Sequence, residues 1–219
     1  MARHTHDDAQ KTRKAILDSA LRLFSRRGYE RTSLSDIAKY AGVTRGAIYW
    51  HFDDKRDLLL ELCNRTDREL LASEALAHAT KIEEPNPLGC LRSWMLSHSD
   101  EKSIQFFRSS FFILFGNIIR GMVGDEELQK RFMEIVDFRR RTFVDILKNC
   151  IRKGQLPVNL DVQAAADYLM VFMTGYIHTL RTEFSADIVK KYPFYVDMAI
   201  KGLRNITVEL VSANAPVSV

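Results

Sequence analysis

Apolar side chains recur along the chain at steps of three and four, the spacing that aligns them on one face of an α-helix. Ile16, Leu17, Ala20, Leu21, Leu23 and Phe24 do so between Asp8 and Arg27, and Gly28 ends the run. Ser33-Leu34-Ser35-Asp36 has the form of a capping box, in which the serine hydroxyl accepts from an amide of the first turn and the acid reaches back to the cap. A short helix is predicted over 34–41, and Gly42 stands where the chain must turn out of it. Thr44 then caps a second short helix over 45–51. After the break at Phe52-Asp53-Asp54-Lys55, with Asp53 or Asp54 as cap, Leu58, Leu59, Leu62, Leu70, Leu71 and Ala75 predict one long helix over 55–80. Glu83-Glu84-Pro85-Asn86-Pro87 reads as a linker, because each proline biases its predecessor away from helix. Further helices are expected at 87–99, 101–122, 125–153, 161–183 and 187–212. They are separated by Gly124-Asp125, by Gly154-Gln155-Leu156-Pro157 with Asp161 as the next cap, and by Ser185-Ala186-Asp187.

Composition supports this all-α reading. With 46% hydrophobic and 27% charged residues in a chain of 219, a packed core is affordable in area terms and disorder is excluded. Ten glycines and five prolines are too few for the closely spaced turns of a sandwich or barrel. The longest apolar stretch, Phe111 to Ile119, is interrupted at Gly116 and Asn117, and Met-Ala-Arg-His-Thr-His-Asp-Asp lacks the apolar segment of a secretory signal. A cytoplasmic protein without a membrane partner is therefore expected. Cys63, Cys90 and Cys150 are odd in number and widely spaced, which predicts reduced core residues; a redox sensor would need an exposed thiol of low pKa. Asp53-Asp54, Glu83-Glu84 and Glu126-Glu127 begin helices, where negative charge complements the dipole, so capping is favoured over acid–base chemistry. Neither a phosphate loop, nor a nucleophile elbow, nor a His-Glu-x-x-His pattern occurs, and no catalytic residue, metal or cofactor is predicted.

Charge location carries more than the net +4. Residues 1–60 hold 12 Lys and Arg against 8 Asp and Glu, whereas 61–219 hold 20 of each, so the front segment is the one suited to a polyanion. Counted from Leu34, Ala38 is fifth, Gly42 ninth and Ile48 fifteenth. The small Ala38 lets two helices approach, Gly42 makes the turn, and Ile37, Val43 and Ile48 close a miniature core. Such a helix-turn-helix, over about 33–53, presents the first half of its second helix to the DNA major groove.

Thr32-Ser33-Leu34-Ser35-Asp36-Ile37-Ala38, Ala41-Gly42-Val43-Thr44-Arg45-Gly46-Ala47-Ile48-Tyr49-Trp50-His51-Phe52, then Lys55 and Leu58, resemble the DNA-binding domain of TetR-family repressors. The pattern is most similar to the AcrR-like group that controls multidrug efflux pumps. The likeness is nearly continuous over 1–62; beyond, it thins to helix order and phrases such as Pro87-Leu88-Gly89-Cys90 and Gly154-Gln155-Leu156-Pro157. It implies a three-helix DNA-binding domain over 1–54, a connecting helix over 55–80 and a larger helical ligand-binding and dimerisation domain over 81–219, with about nine helices. It further implies a ligand-responsive repressor rather than an enzyme: a homodimer formed through its last two helices, bound to a near-palindromic double-stranded DNA operator. A small hydrophobic effector would release it, the signal running through the helix over 55–80. A helical binding module with another effector, or a regulator that activates, fits the same residues.

Candidate DNA contacts follow from side-chain chemistry. Thr44 can cap its helix and donate to a phosphate, and Arg45 can pair with guanine O6 and N7 or with a phosphate. Gly46 leaves room for groove entry. Tyr49 and Trp50 suit sugar-phosphate packing or a thymine methyl, and His51 offers a ring N–H to phosphate; Tyr49, Trp50 and Phe52 also fit as core aromatics, and His51 as an ordinary polar surface residue. Lys55 is a candidate phosphate clamp, with Thr32, Ser33 and the nearby amides holding another phosphate.

Rearward, aromatics and methionines suit an adaptable cavity or simply a helical core. The cavity candidates are Trp94, Phe107, Phe111, Phe115, Asn117, Phe138, Met170, Met173, Thr174 and His178. Related efflux repressors carry histidine, cysteine and an acid where this chain has the nearly apolar Phe115-Gly116-Asn117-Ile118-Ile119, implying a more hydrophobic or different ligand. In the dimer that the resemblance implies, Tyr168, Leu169, Phe172, Ile177, Val196, Ile200, Leu203 and Val208 supply apolar surface. Arg139-Arg140-Arg141 fans around its helix and reads as a solvated face.

Overall fold

Eleven helices are present among the described residues of the computed structural model, which are 2–71, 73–106, 125–180, 182 and 185–213. They are α1 (Ala2–Arg27), α2 (Leu34–Ala41), α3 (Arg45–His51), α4 (Lys55–Leu71), α5 (Glu74–Ala79), α6 (Pro87–Ser97), α7 (Glu101–Phe106), α8 (Glu126–Arg152), α9 (Val162–Thr179), α10 (Ser185–Leu203) and α11 (Val208–Ala213). An isolated antiparallel bridge, Leu160 to Thr207, is the extent of β pairing among them.

The described residues form two compact units. The first comprises 2–68 and 125–135. Its core is the apolar face of α1 (Ile16, Leu17, Ala20, Leu23, Phe24) packed with Ile37 and Ala38 of α2, Ile48 of α3 and Phe52 that caps it, Leu58, Leu59 and Leu62 of α4, and Leu128 of α8. Ion pairs at Arg13–Glu61 (3.2 Å) and Arg65–Asp18 (2.7 Å) tie α1 to α4 beside that core. Ser33 makes the full capping box with Asp36, and Gly42 ends α2 at φ 69°, ψ 28°, with its N–H turned to the carbonyls of Ala38 and Lys39. A Cβ on Gly42 would meet nothing within 4 Å, so the demand for glycine there is purely one of backbone conformation.

The second unit comprises 69–71, 73–106 and the described residues from 136 onward. Two of the sequence phrases meet in it. Asn86 caps α6 by accepting from the Gly89 amide at 3.0 Å, and its Oδ1 also accepts from the Gln155 amide at 2.7 Å. Gln155 in turn accepts from the Leu88 amide at 3.0 Å. A Cβ at Gly89 would overlap the Asn86 side chain, which is why a glycine follows Pro87-Leu88. Below this lock, Trp94 packs edge-on to Phe143 (5.6 Å) and His98 (4.6 Å), and Tyr176 stacks on Tyr192 at 3.5 Å. Tyr192 Oη donates to Met173 Sδ at 3.6 Å and Tyr176 Oη to the His98 carbonyl at 3.4 Å. Asn149 is buried and donates to the carbonyls of Ala79 and Lys81, closing the end of α5. Cys63 and Cys150 are buried and Cys90 partly so; burial pushes the Cys150 thiol up to about 12, which leaves it no thiolate chemistry at neutral pH.

Three expected helices differ. The helix predicted over 55–80 is two, because Ser73 takes an extended backbone (φ −71°, ψ 130°) and starts α5 as its N-cap. The helix predicted over 187–212 is also two. Asp161 N–H donates to Ile206 O (2.8 Å) and Val208 N–H to Asn159 O (3.1 Å), so the backbone around 204–207 pairs with the loop before α9 instead of continuing the helix. α9 stops at Thr179, four residues short of the predicted 183. The apolar set expected on the dimer surface also divides. Leu169, Ile177, Val196 and Leu203 are buried within the unit, whereas Tyr168 and Val208 are exposed together with Val171, Phe194 and Met198.

Two outcomes follow. Gly42→Ala should lower stability by about 1–2 kcal/mol through the left-handed backbone alone, and Gly42→Asn by less, measured as denaturant midpoints. Burial holds the His98 imidazole below its usual value against the opposing pull of the Trp94 and Met95 carbonyls. The unfolded chain therefore takes up a proton that the folded one refuses, and the stability fully present above the unfolded pKa of about 6.5 is lost as pH falls below it. Melting temperature should drop between pH 7 and 5.5, and His98→Gln should flatten that drop.

Candidate nucleic-acid interface

The exposed side of α3 is built by its cap and its first turn. Thr44 Oγ1 accepts from the Ala47 amide at 3.1 Å, which leaves the hydroxyl proton available to an outside acceptor. Arg45 follows, exposed, and donates through Nη2 to Tyr49 Oη at 2.9 Å while its guanidinium lies 5.4 Å from the Tyr49 ring centroid. Gly46 is exposed, and a Cβ there would touch only Thr44 Oγ1 at 3.8 Å, so packing within the chain places no demand for glycine. The missing side chain lowers the profile of the face that a groove would meet.

Burial separates the aromatics. Tyr49 is 47% exposed and Trp50 73%, whereas Phe52 is 2% exposed and belongs to the core. Trp50 stands at 84° to His51 with centroids 4.6 Å apart. Burial, and then the charge of Arg13, holds His51 below the ordinary histidine range, so at neutral pH it is an uncharged ring with a single N–H donor. Lys55, the first residue of α4, donates to the Tyr29 carbonyl at 3.1 Å and lies 4.2 Å from the Tyr29 ring centroid.

The start of α2 departs from expectation. Thr32 is buried, and its hydroxyl donates to the Gly28 carbonyl at 2.8 Å, so it braces the loop instead of reaching out. Ser33 gives its amide (3.0 Å) and its hydroxyl proton (2.6 Å) to Asp36, whose carboxylate is held below its usual range by these bonds. A phosphate there would have to be met by the amides that follow. Asp54 accepts from the amides of Arg56 (2.7 Å) and Asp57 (2.8 Å), the capping role expected of that acidic pair.

Sequence reasoning passed over two tyrosines. Tyr40 is 47% exposed on α2 and bonded to Arg22, with Arg26 near; its position off the Ile37–Ala38–Ala41 face was the available signal. Tyr29 is buried under Lys55, and no local pattern marks a contact spanning 26 positions.

The cavity candidates scatter. Trp94 and Met173 are buried in the second unit and Met170 partly so, but Phe138 is 59% exposed and Thr174 and His178 lie on the exposed stripe of α9. Helical spacing puts those two on the side of Val171 rather than of Met173. Phe107, Phe111, Phe115 and Asn117 lie outside the described residues. Among the described residues no helix is long and apolar enough to cross a membrane, and no group of three or more His, Cys, Asp or Glu could hold a metal.

Comparison with known proteins identifies the family. Residues 16–62 match the family described as bacterial regulatory proteins, tetR family. Over 207 residues the chain is 36% identical to the probable HTH-type transcriptional regulator ArpR of Pseudomonas putida, spanning 93% of this chain and 97% of that protein. Over 185 residues it is 40% identical to the HTH-type transcriptional regulator AcrR of Shigella flexneri, spanning 82% and 81%. The structure of SmeT, the repressor of the Stenotrophomonas maltophilia multidrug efflux pump SmeDEF, matches with a TM-score of 0.66 at 26% identity, over 89% of this chain and 91% of that one. The resemblance in residues 32–58 thus extends through most of the chain, which belongs to the tetR family of bacterial regulatory proteins, DNA-binding regulators of transcription rather than enzymes.

Proposed function

We propose that this protein represses a multidrug efflux operon as a cytoplasmic homodimer, and that a small hydrophobic effector releases it from a near-palindromic operator. The observation that carries the reading is the outer face of α3, where Thr44, Arg45, Gly46, Tyr49 and Trp50 are all exposed while Ile48 and Phe52 hold the helix from behind. Arg45 is placed to read a guanine or grip a phosphate, Tyr49 and Trp50 to pack on the sugar-phosphate chain, and Lys55 to bind a phosphate.

Dimerisation is supported by α9 and α10. Tyr168, Val171, Phe194 and Met198 stay exposed on these two helices, which adjoin where Gly202 comes close to Tyr168 Oη. Large apolar side chains on one pair of helices mark a protein interface. A second subunit covering them would give two recognition helices, turning weak half-site contacts into a specific site. Trp94, Met173, Tyr176 and Tyr192 bury ring and sulfur groups in the second unit, and polarisable side chains of this kind can repack around an apolar effector. Such an effector must prefer the DNA-incompetent state; moving the population from 99:1 to 1:99 takes about 5.5 kcal/mol of differential affinity.

Nuclease protection of the protein's own upstream region, with and without hydrophobic drugs, tests the whole reading: a drug-sensitive footprint is expected, and its absence there would remove the operator assignment. On the protected duplex, Arg45→Ala should weaken binding about ten-fold or more, and Lys55→Ala should weaken it with a salt slope shallower by about one. Unchanged affinity in both would exclude this face. Val171→Asp combined with Phe194→Asp should give folded monomers by sedimentation, with operator affinity lost.

A further inference from the structure

Lys55 occupies an electrostatically awkward place. It opens α4, at the positive end of the helix dipole, where a cation is disfavoured. No carboxylate among the described residues pairs with it: Asp54 is taken by Arg56 and two amides, and Asp57 by the Asp53 amide. What holds the ammonium is neutral, namely the Tyr29 carbonyl at 3.1 Å and the Tyr29 ring face at 4.2 Å. The ring is itself fixed, 7% exposed and edge-on to Phe24 at 5.2 Å. Its hydroxyl is pushed up to about 12 by burial and then by the charge of Asp54, so the cradle stays uncharged across physiological pH.

We infer that Tyr29 is a positioning residue for DNA binding, holding the Lys55 ammonium in place for a phosphate without neutralising it. A carboxylate in the same place would orient the lysine equally well but cancel the charge the phosphate needs. A solvated lysine would keep its charge but lose side-chain freedom on binding, which a lysine already held in place does not. One of the three ammonium donors is spent on Tyr29, and two remain for an oxygen of the DNA backbone. The inference rests on the proposed phosphate role of Lys55.

A double-mutant cycle on the nuclease-protected duplex tests it, with melting temperatures recorded for every variant. Tyr29→Phe keeps the ring and should bind like the parent. Tyr29→Leu keeps a buried apolar side chain but removes the ring face, and should weaken binding about two- to five-fold. In the Lys55→Gln background the same Tyr29→Leu change should cost nothing further. An equal loss in both backgrounds would mean that Tyr29 only supports the fold, and no loss in the parent would mean that the ring does not position the lysine; either overturns the inference. Unchanged affinity on Lys55→Gln alone would overturn it by removing the phosphate contact on which it rests, while Arg45→Ala reports separately on whether α3 reads the duplex.

Discussion

The left-handed backbone at Gly42 is the constraint on which the proposed DNA-reading surface depends. At φ 69° it stops α2 and aims the chain so that Thr44 can cap α3 at once. Ile37 and Ala38 behind α2 then meet Ile48 of α3, and all three are buried. With the turn set, the outer side of α3 is whatever the core leaves uncovered, which is Arg45, Gly46, Tyr49 and Trp50. An L-residue in that conformation brings its Cβ against the following carbonyl, although no neighbour lies within 4 Å of where the Cβ would stand.

Charge in the first unit is divided by use. Arg13 with Glu61, Lys14 with Asp18, Arg65 with Asp18 and Arg56 with Asp54 are ion pairs that fasten helices or their ends. The two cations proposed to meet DNA rest instead on tyrosines, Arg45 on Tyr49 and Lys55 on Tyr29. Ion pairing would leave a dipole facing the duplex; an aromatic and a carbonyl leave a full positive charge. That distinction matters for a polyanion, whose binding draws on counterion release at each phosphate met by a cation.

In the second unit, polar atoms organise an apolar interior. Asn86 and Gln155 lock the start of α6 to the turn at Gly154, and Asn149 closes α5. Arg140 makes a two-pronged bond to Asp167, at 2.5 and 2.8 Å, joining α8 to α9, and Arg92 meets Asp197 at 2.6 Å, joining α6 to α10. Buried His98 is the group in this set whose protonation opposes folding. Tyr168, Val171, Phe194 and Met198, left outside, are the surface a second subunit would cover.

Local chemistry was enough to specify the short elements. The capping box at Ser33, the turn at Gly42, the cap at Thr44 and the cap at Asp161 depend on residues within four positions of one another, and periodicity marked α2, α3 and α8 nearly to their ends. Arg45 and Gly46 were legible on the outer side of α3 for the same reason, since Ile48 marks the side that the core takes. Tertiary structure decided the rest. Whether Tyr49 and Trp50 face outward or fill the core, whether Thr32 reaches out or braces a loop, and whether residues 204–207 stay helical all turn on partners distant in sequence. Tyr29 under Lys55 and Asn86 against Gln155 are contacts between residues 26 and 69 positions apart. Periodicity cannot register such pairs, because it records which side of a helix is apolar and not what packs against it.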